Sequence, residues 1–94
     1  MFDVSEILSL KPIDETIGGY QVRIMRPTLA NLIDALEMRE KSPAESRAWL
    51  LVTHLRTRDD EPVFANIREA MLCPAGFAAA ACVRIEGLYS EGSD

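Results

Sequence analysis

Histidine is almost missing from this chain of 94 residues: His54 is the only one. Any acid–base relay or histidine-ligated metal would have to be built around it. Cys73 and Cys82 stand far from it in sequence, and no CxxC or HxxxH spacing exists, so a zinc site has no ordinary framework. Basic charge is also short. Ten Lys and Arg face fifteen Asp and Glu, for a net charge of −5, and an acidic chain repels phosphate backbones unless its cations gather on one face. No apolar run approaches the roughly 20 residues that span a bilayer. No basic segment leads into an apolar one at the N-terminus, so a secretory signal is absent and a cytosolic protein with two reduced thiols is expected.

The chemical groups that remain have simple readings. His54 is expected on the polar side of its helix, at the surface. Cys73, just ahead of Pro74, is either a thiolate at a helix N-terminus or a small buried apolar residue, and the second role is the more frequent one. Cys82 reads as packing. Asp59, Asp60 and Glu61 lack the ligand spacing and central glycine of an EF-hand loop, so they read as a solvated turn. No Ser–His–Asp set can be drawn with one histidine that nothing orients. No catalytic, cofactor-binding or metal-binding residue emerges, and an enzyme is not expected.

What is present is helical periodicity around one hairpin. An apolar share of 48% against 27% charged residues is ordinary for a globular chain, and the length suits one domain with a modest core. Residues 1–10 read as a short amphipathic helix with Val4, Ile7 and Leu8 on one face, ended by Lys11-Pro12. Gly18-Gly19 reaches positive φ without steric cost, and Tyr20, Val22 and Ile24 alternate after it, so 13–25 reads as a β-hairpin. Thr28 caps a helix over 28–40 with the stripe Leu29, Leu32, Ile33, Leu36. Met38 falls on its polar side, as an inconsequential exposed residue or as part of a contact surface.

Ser42-Pro43 with Glu45 opens a helix over 43–58, with the Ser42 hydroxyl as cap and Pro43 at the first helical position. Ala48, Leu51, Val52 and Leu55 share a face, Trp49 flanks it, and Arg56 to Arg58 suit the negative end of the dipole. Leu50 points away from that face: either the helix is covered on two sides, or Leu50 is open to another chain. Pro62 enforces a turn, Val63-Phe64 anchors back, and Asn66 with Glu69 caps a helix over 66–72. A helix over 75–88 follows, with Phe77, Ala81, Ile85 and Leu88 as its stripe and Ala80 and Val83 widening it. Apolar almost all round, it is either deeply buried or shared between subunits, and in a domain this small the shared contact is expected. Residues 90–94 form a polar tail. The fold class is mainly α with a small N-terminal β-hairpin (α+β), four to five short helices packed as one domain. The expected interaction surface is Met38, Trp49, Leu50, Phe77, Val83, Ile85 and Leu88.

The order of parts resembles the small tail assembly chaperones of long-tailed bacteriophages and prophages. The resemblance lies in Gly18 to Arg23 of the hairpin, Pro27-Thr28 opening a helix, and the turn Asp59-Asp60-Glu61-Pro62-Val63-Phe64. Glu61 stands where that family often has a glycine. The likeness covers nearly the whole chain in layout but rests on few residues. It implies a non-enzymatic, helical, oligomer-forming protein of the bacterial host cytoplasm. Such a protein would hold the tape-measure protein, and in some cases tail-tube subunits, soluble during tail assembly, with no nucleic-acid or membrane partner. The alternative from another class is a small helical DNA-binding or regulatory adaptor protein, supported by Arg23, Arg26, Arg47, Arg56, Arg58 and Arg68. These are scattered among acids rather than aligned on one helix. A thiol enzyme built on Cys73 ranks below both.

Overall fold

The computed structural model describes residues 3–5 and 11–90. Two short strands open it, β1 (Ile13–Ile17) and β2 (Tyr20–Ile24), in antiparallel register with Ile17 opposite Tyr20 and Ile13 opposite Ile24. Gly18 and Gly19 have φ of 57° and 84°, the left-handed pair of a two-residue turn whose twist matches the strands it joins. Ile17, Val22 and Ile24 are buried, so one face of the hairpin is inward as the alternation predicts. Tyr20, at the turn end of that face, is exposed and meets Phe77 edge-on at 6.0 Å between ring centroids.

Helix α1 (Leu29–Lys41) leads through Ser42 alone into α2 (Pro43–His54). The expected 43–58 helix stops four residues early. Leu55 turns extended (φ −85°, ψ 129°), and Leu55–Arg56 form a third strand, β3, antiparallel to β2 with Ile24 opposite Leu55. The physical reason is the free edge of β2. The strand consumes its unpaired backbone groups while Leu55 still reaches the core, where it is fully buried. Arg56 and Arg58 therefore do not cap a helix. The chain closes back through a tight turn in which Asp60 N–H donates to the Thr57 carbonyl at 2.9 Å, and Thr57 N–H donates to the Glu61 carbonyl at 2.7 Å. Asp60 is its left-handed residue, with φ 70°, one position before the expected glycine site. Asp is among the few side chains that tolerate this geometry.

Asn66 caps α3 (Ile67–Ala70) by accepting from Glu69 N–H at 2.8 Å, and α4 (Ala75–Tyr89) completes the fold. The expected helix over 1–10 lies outside the described residues apart from residues 3–5, and the tail over 91–94 lies outside them. The result is an α+β domain with a three-stranded antiparallel sheet in the order β1-β2-β3.

Helix α2 is the centre, packed against α1, α3, α4 and β3. Leu50 and Leu51 point to different sides of it and both are buried, so α2 is covered on two sides. Helix α4 lies against α2 with Ala81, Cys82 and Ile85 buried. Its outer side is Ala79, Ala80 and Val83. Alanine is apolar in class but small in area, so these positions leave less apolar surface exposed than their class suggests. Of the expected α4 contact pair, Val83 is 67% exposed and Ile85 is fully buried. Replacing Ile85 by Ala should therefore cost about 2–5 kcal/mol in urea unfolding. Val83→Ala should stay within about 0.5 kcal/mol of wild type. Similar losses for the two would contradict the orientation of α4.

Candidate interaction surface

Helix α1 is locally well specified. Thr28 Oγ1 accepts from Asn31 N–H at 3.1 Å and Asn31 Oδ1 accepts from Thr28 N–H at 2.9 Å, a reciprocal cap. At its other end Ser42 N–H donates to the Met38 carbonyl at 2.8 Å. Ser42 is thus the last cap of α1 as well as the first of α2. Its backbone (φ −142°, ψ 65°) leaves the hydroxyl without the capping bond expected of it, and Pro43 carries the start of α2.

The side of α1 turned to the domain is the sparse one. Asn31, Ala35 and Met38, spaced four and three apart, are half-buried, and α1 packs on α2. The apolar stripe is left in solvent: Leu29 is 73% exposed, Leu32 37%, Ile33 51% and Leu36 55%. No residue of α1 is buried. Fully burying one Leu or Ile is worth about 1.5–3 kcal/mol, so the stripe holds back about 3–6 kcal/mol of burial. Large apolar side chains grouped on one helix face make α1 the candidate interaction surface.

Two concavities adjoin exposed apolar groups. A cleft of 570 Å³ between α1, α2 and α4 has Leu32, Leu36 and Leu50 in its lining, with Arg39, Arg47 and Glu86. On the other side a groove of 480 Å³ is lined by Tyr20, Val22, Phe64, Leu72 and Phe77 among others. Phe64 and Phe77 meet edge-on there at 6.4 Å, and Leu72 is 82% exposed at the groove.

The residues expected to form one contact surface are dispersed. Met38, Trp49, Phe77 and Leu88 are half-buried, and Trp49, Phe77 and Leu88 pack against the core. Leu50 and Ile85 are interior, and Val83 is exposed on its own flank of α4. The stripe Leu29, Leu32, Ile33 and Leu36 was visible as periodicity, but periodicity does not say whether a face turns inward. Room in the core decides that, and α2, α4 and the sheet already fill it.

His54 is not on the surface but 1% exposed. Its Nδ1 lies 2.9 Å from the Met25 carbonyl, which can only accept, so Nδ1 carries the proton and Nε2 accepts from the Tyr89 hydroxyl at 2.6 Å. Burial lowers the His54 pKa, the Met25 bond opposing it, while burial, with Asp34 adding, pushes Tyr89 up to about 12. Burial also raises the thiols of Cys73 and Cys82, so Cys73 is no activated thiolate. Among the described residues, no three His, Cys, Asp or Glu side chains gather where a metal could bind. No helix among them is long and apolar enough to cross a membrane. The chain matches no family model, no curated protein and no solved structure.

The neutral His54 carries a pH signature. Its folded pKa lies below its unfolded value, so the unfolded state takes up the proton first as pH falls. The stability it contributes should be complete above about pH 6.5 and decline below that, levelling once pH passes the folded pKa. Urea midpoints between pH 7.5 and 5 should show this decline, and His54→Gln should flatten it.

Proposed function

We propose that this protein is a non-enzymatic holding chaperone of phage tail assembly. It binds the tape-measure protein, with tail-tube subunits as a second client class, in the cytoplasm of the bacterial host. The observation that carries the reading is the solvent-facing stripe on α1, four large apolar side chains presented by a helix anchored on α2. A protein that keeps an aggregation-prone helical client in solution needs such a face, and an acidic net charge of −5 keeps the loaded complex soluble. When no client is bound, the same face is where copies would meet, in place of α4. The phage context rests on the resemblance in layout and in the Asp59–Phe64 turn.

Catalysis has no support. The single histidine has both ring nitrogens occupied by Met25 and Tyr89, and neither thiol is activated. The DNA-binding alternative loses two of its arginines to carboxylates. Arg23 pairs with Asp14 at 3.1 Å and Asp60 at 3.7 Å, and Arg58 pairs with Asp14 at 3.6 Å.

Co-expression with a tape-measure fragment that is insoluble alone tests the reading. The wild-type chain should bring the fragment into the soluble fraction and co-purify with it. The double variant Leu29→Asp, Ile33→Asp should remain folded by circular dichroism, since these side chains are 73% and 51% exposed, yet leave the fragment in the pellet. A variant that holds the fragment as well as wild type would remove α1 from the function.

A further inference from the structure

We propose that the cleft between α1, α2 and α4 receives an amphipathic helix of another protein whose flank carries carboxylates, and that Arg39 and Arg47 select it. This deepens the protein-binding function proposed above and rests on it. The floor of the cleft is apolar, with Leu32, Leu36 and Leu50 in its lining. Its walls are helices, so no free strand edge faces an incoming chain. An extended peptide would bring backbone N–H and C=O groups onto that floor with nothing to pair them, whereas a helix arrives with its own bonds made. Of the α1 stripe, Leu32 and Leu36 reach the cleft one helical turn apart, a spacing that a docked helix can match with its own anchors at i and i+4.

Charge sets the selectivity. Three arginines elsewhere are paired within the fold, Arg23 with Asp14 and Asp60, Arg58 with Asp14 and Arg84 with Glu15, while Arg68 is exposed on α3, away from the cleft. Arg39 and Arg47 both line the cleft and are exposed, and neither makes a salt bridge among the described residues. Glu86 is the one carboxylate in that lining. Two guanidiniums beside an apolar floor offer paired donors to carboxylates on a docked helix, a geometry a lysine-flanked helix cannot use. The local preference thus runs opposite to the net charge of the chain.

Two synthetic helical peptides of about five turns test it. They share leucines at i, i+3, i+4 and i+7 and carry either glutamates or lysines on the flanks. Titrated against the full chain by fluorescence anisotropy, the glutamate peptide should bind about tenfold tighter or more. Arg39→Glu with Arg47→Glu should reverse the order, and Arg39→Gln with Arg47→Gln should abolish the difference, with circular dichroism melts confirming that each variant is folded. Equal binding of the two peptides to wild type, or tighter binding of the lysine peptide, would overturn the charge selection while leaving the α1 face as a client surface. A chain that light scattering shows to remain dimeric at saturating glutamate peptide would also overturn it, because the cleft would then belong to a second copy. Loss of client holding in the co-expression assay, with peptide selectivity intact, would instead count against the chaperone reading.

Discussion

His54 joins three parts of the fold at one point. Its ring spans from the Met25 carbonyl, just past β2, to the Tyr89 hydroxyl in the last turn of α4, and its own carbonyl accepts from Met25 N–H at 2.8 Å. The next residue, Leu55, leaves the helical conformation and pairs with Ile24. Helix, sheet and final helix therefore meet where α2 ends. Both polar atoms of a buried imidazole are satisfied, which is the condition for burying it without a penalty of about 1–3 kcal/mol for each unmet group. Trp49 stands edge-on to the same ring at 6.2 Å and screens it from solvent. Away from this junction the Arg84–Glu15 ion pair also ties α4 to β1, but at the exposed surface rather than in the interior.

That closure decides what α1 can be. With Leu50 and Leu51 on α2, Ala81, Cys82 and Ile85 on α4, and Ile17, Val22 and Ile24 on the sheet, the interior of a chain this size is filled. The one-residue link at Ser42 keeps α1 beside α2, where only Asn31, Ala35 and Met38 gain partial cover. A helix held by both ends cannot rotate its leucines inward without displacing residues already packed at the density of a protein interior. The apolar stripe stays outside because the core was completed without it.

Local devices were legible in the sequence for a local reason. Gly18-Gly19, Thr28 with Asn31, and Asn66 with Glu69 involve contacts within four residues, and each appears where propensity places it. Apart from the Ser42 hydroxyl, which makes no capping bond, the differences lie where distant partners decide. A helical pattern through Leu55 is compatible with the local chain, but the free edge of β2 wins, and that edge lies some thirty residues earlier. His54 looked like a surface histidine because nothing nearby in sequence could satisfy it. Met25 and Tyr89 do so from 29 and 35 positions away. In α4 residue class counts an alanine like a leucine, while burial energy scales with area, so an apolar pattern alone overstates the surface the helix exposes. The stripe on α1 is legible as periodicity, but its exposure depends on what already fills the core, which no local pattern carries.

An exposed apolar helix is a standing aggregation hazard, and the rest of the molecule limits it. The sheet's outer side is laced by Asp14, Arg23, Arg58 and Asp60, a small network of surface ion pairs each worth about 0–1 kcal/mol but collectively polar. The exposed side of α4 shows alanine and glycine with Arg84 and Glu86, and Val83 is its one exposed large apolar side chain. Apolar exposure on α1 is thus confined to about two turns and bordered by Arg39, Glu37 and Glu40. A binding face has to be sticky enough to hold a client yet narrow enough to stay selective, and confinement by charge satisfies both demands. On this view the arginines beside the cleft do more than solubilise. They make unspecific apolar docking less favourable than docking by a helix that brings its own carboxylates.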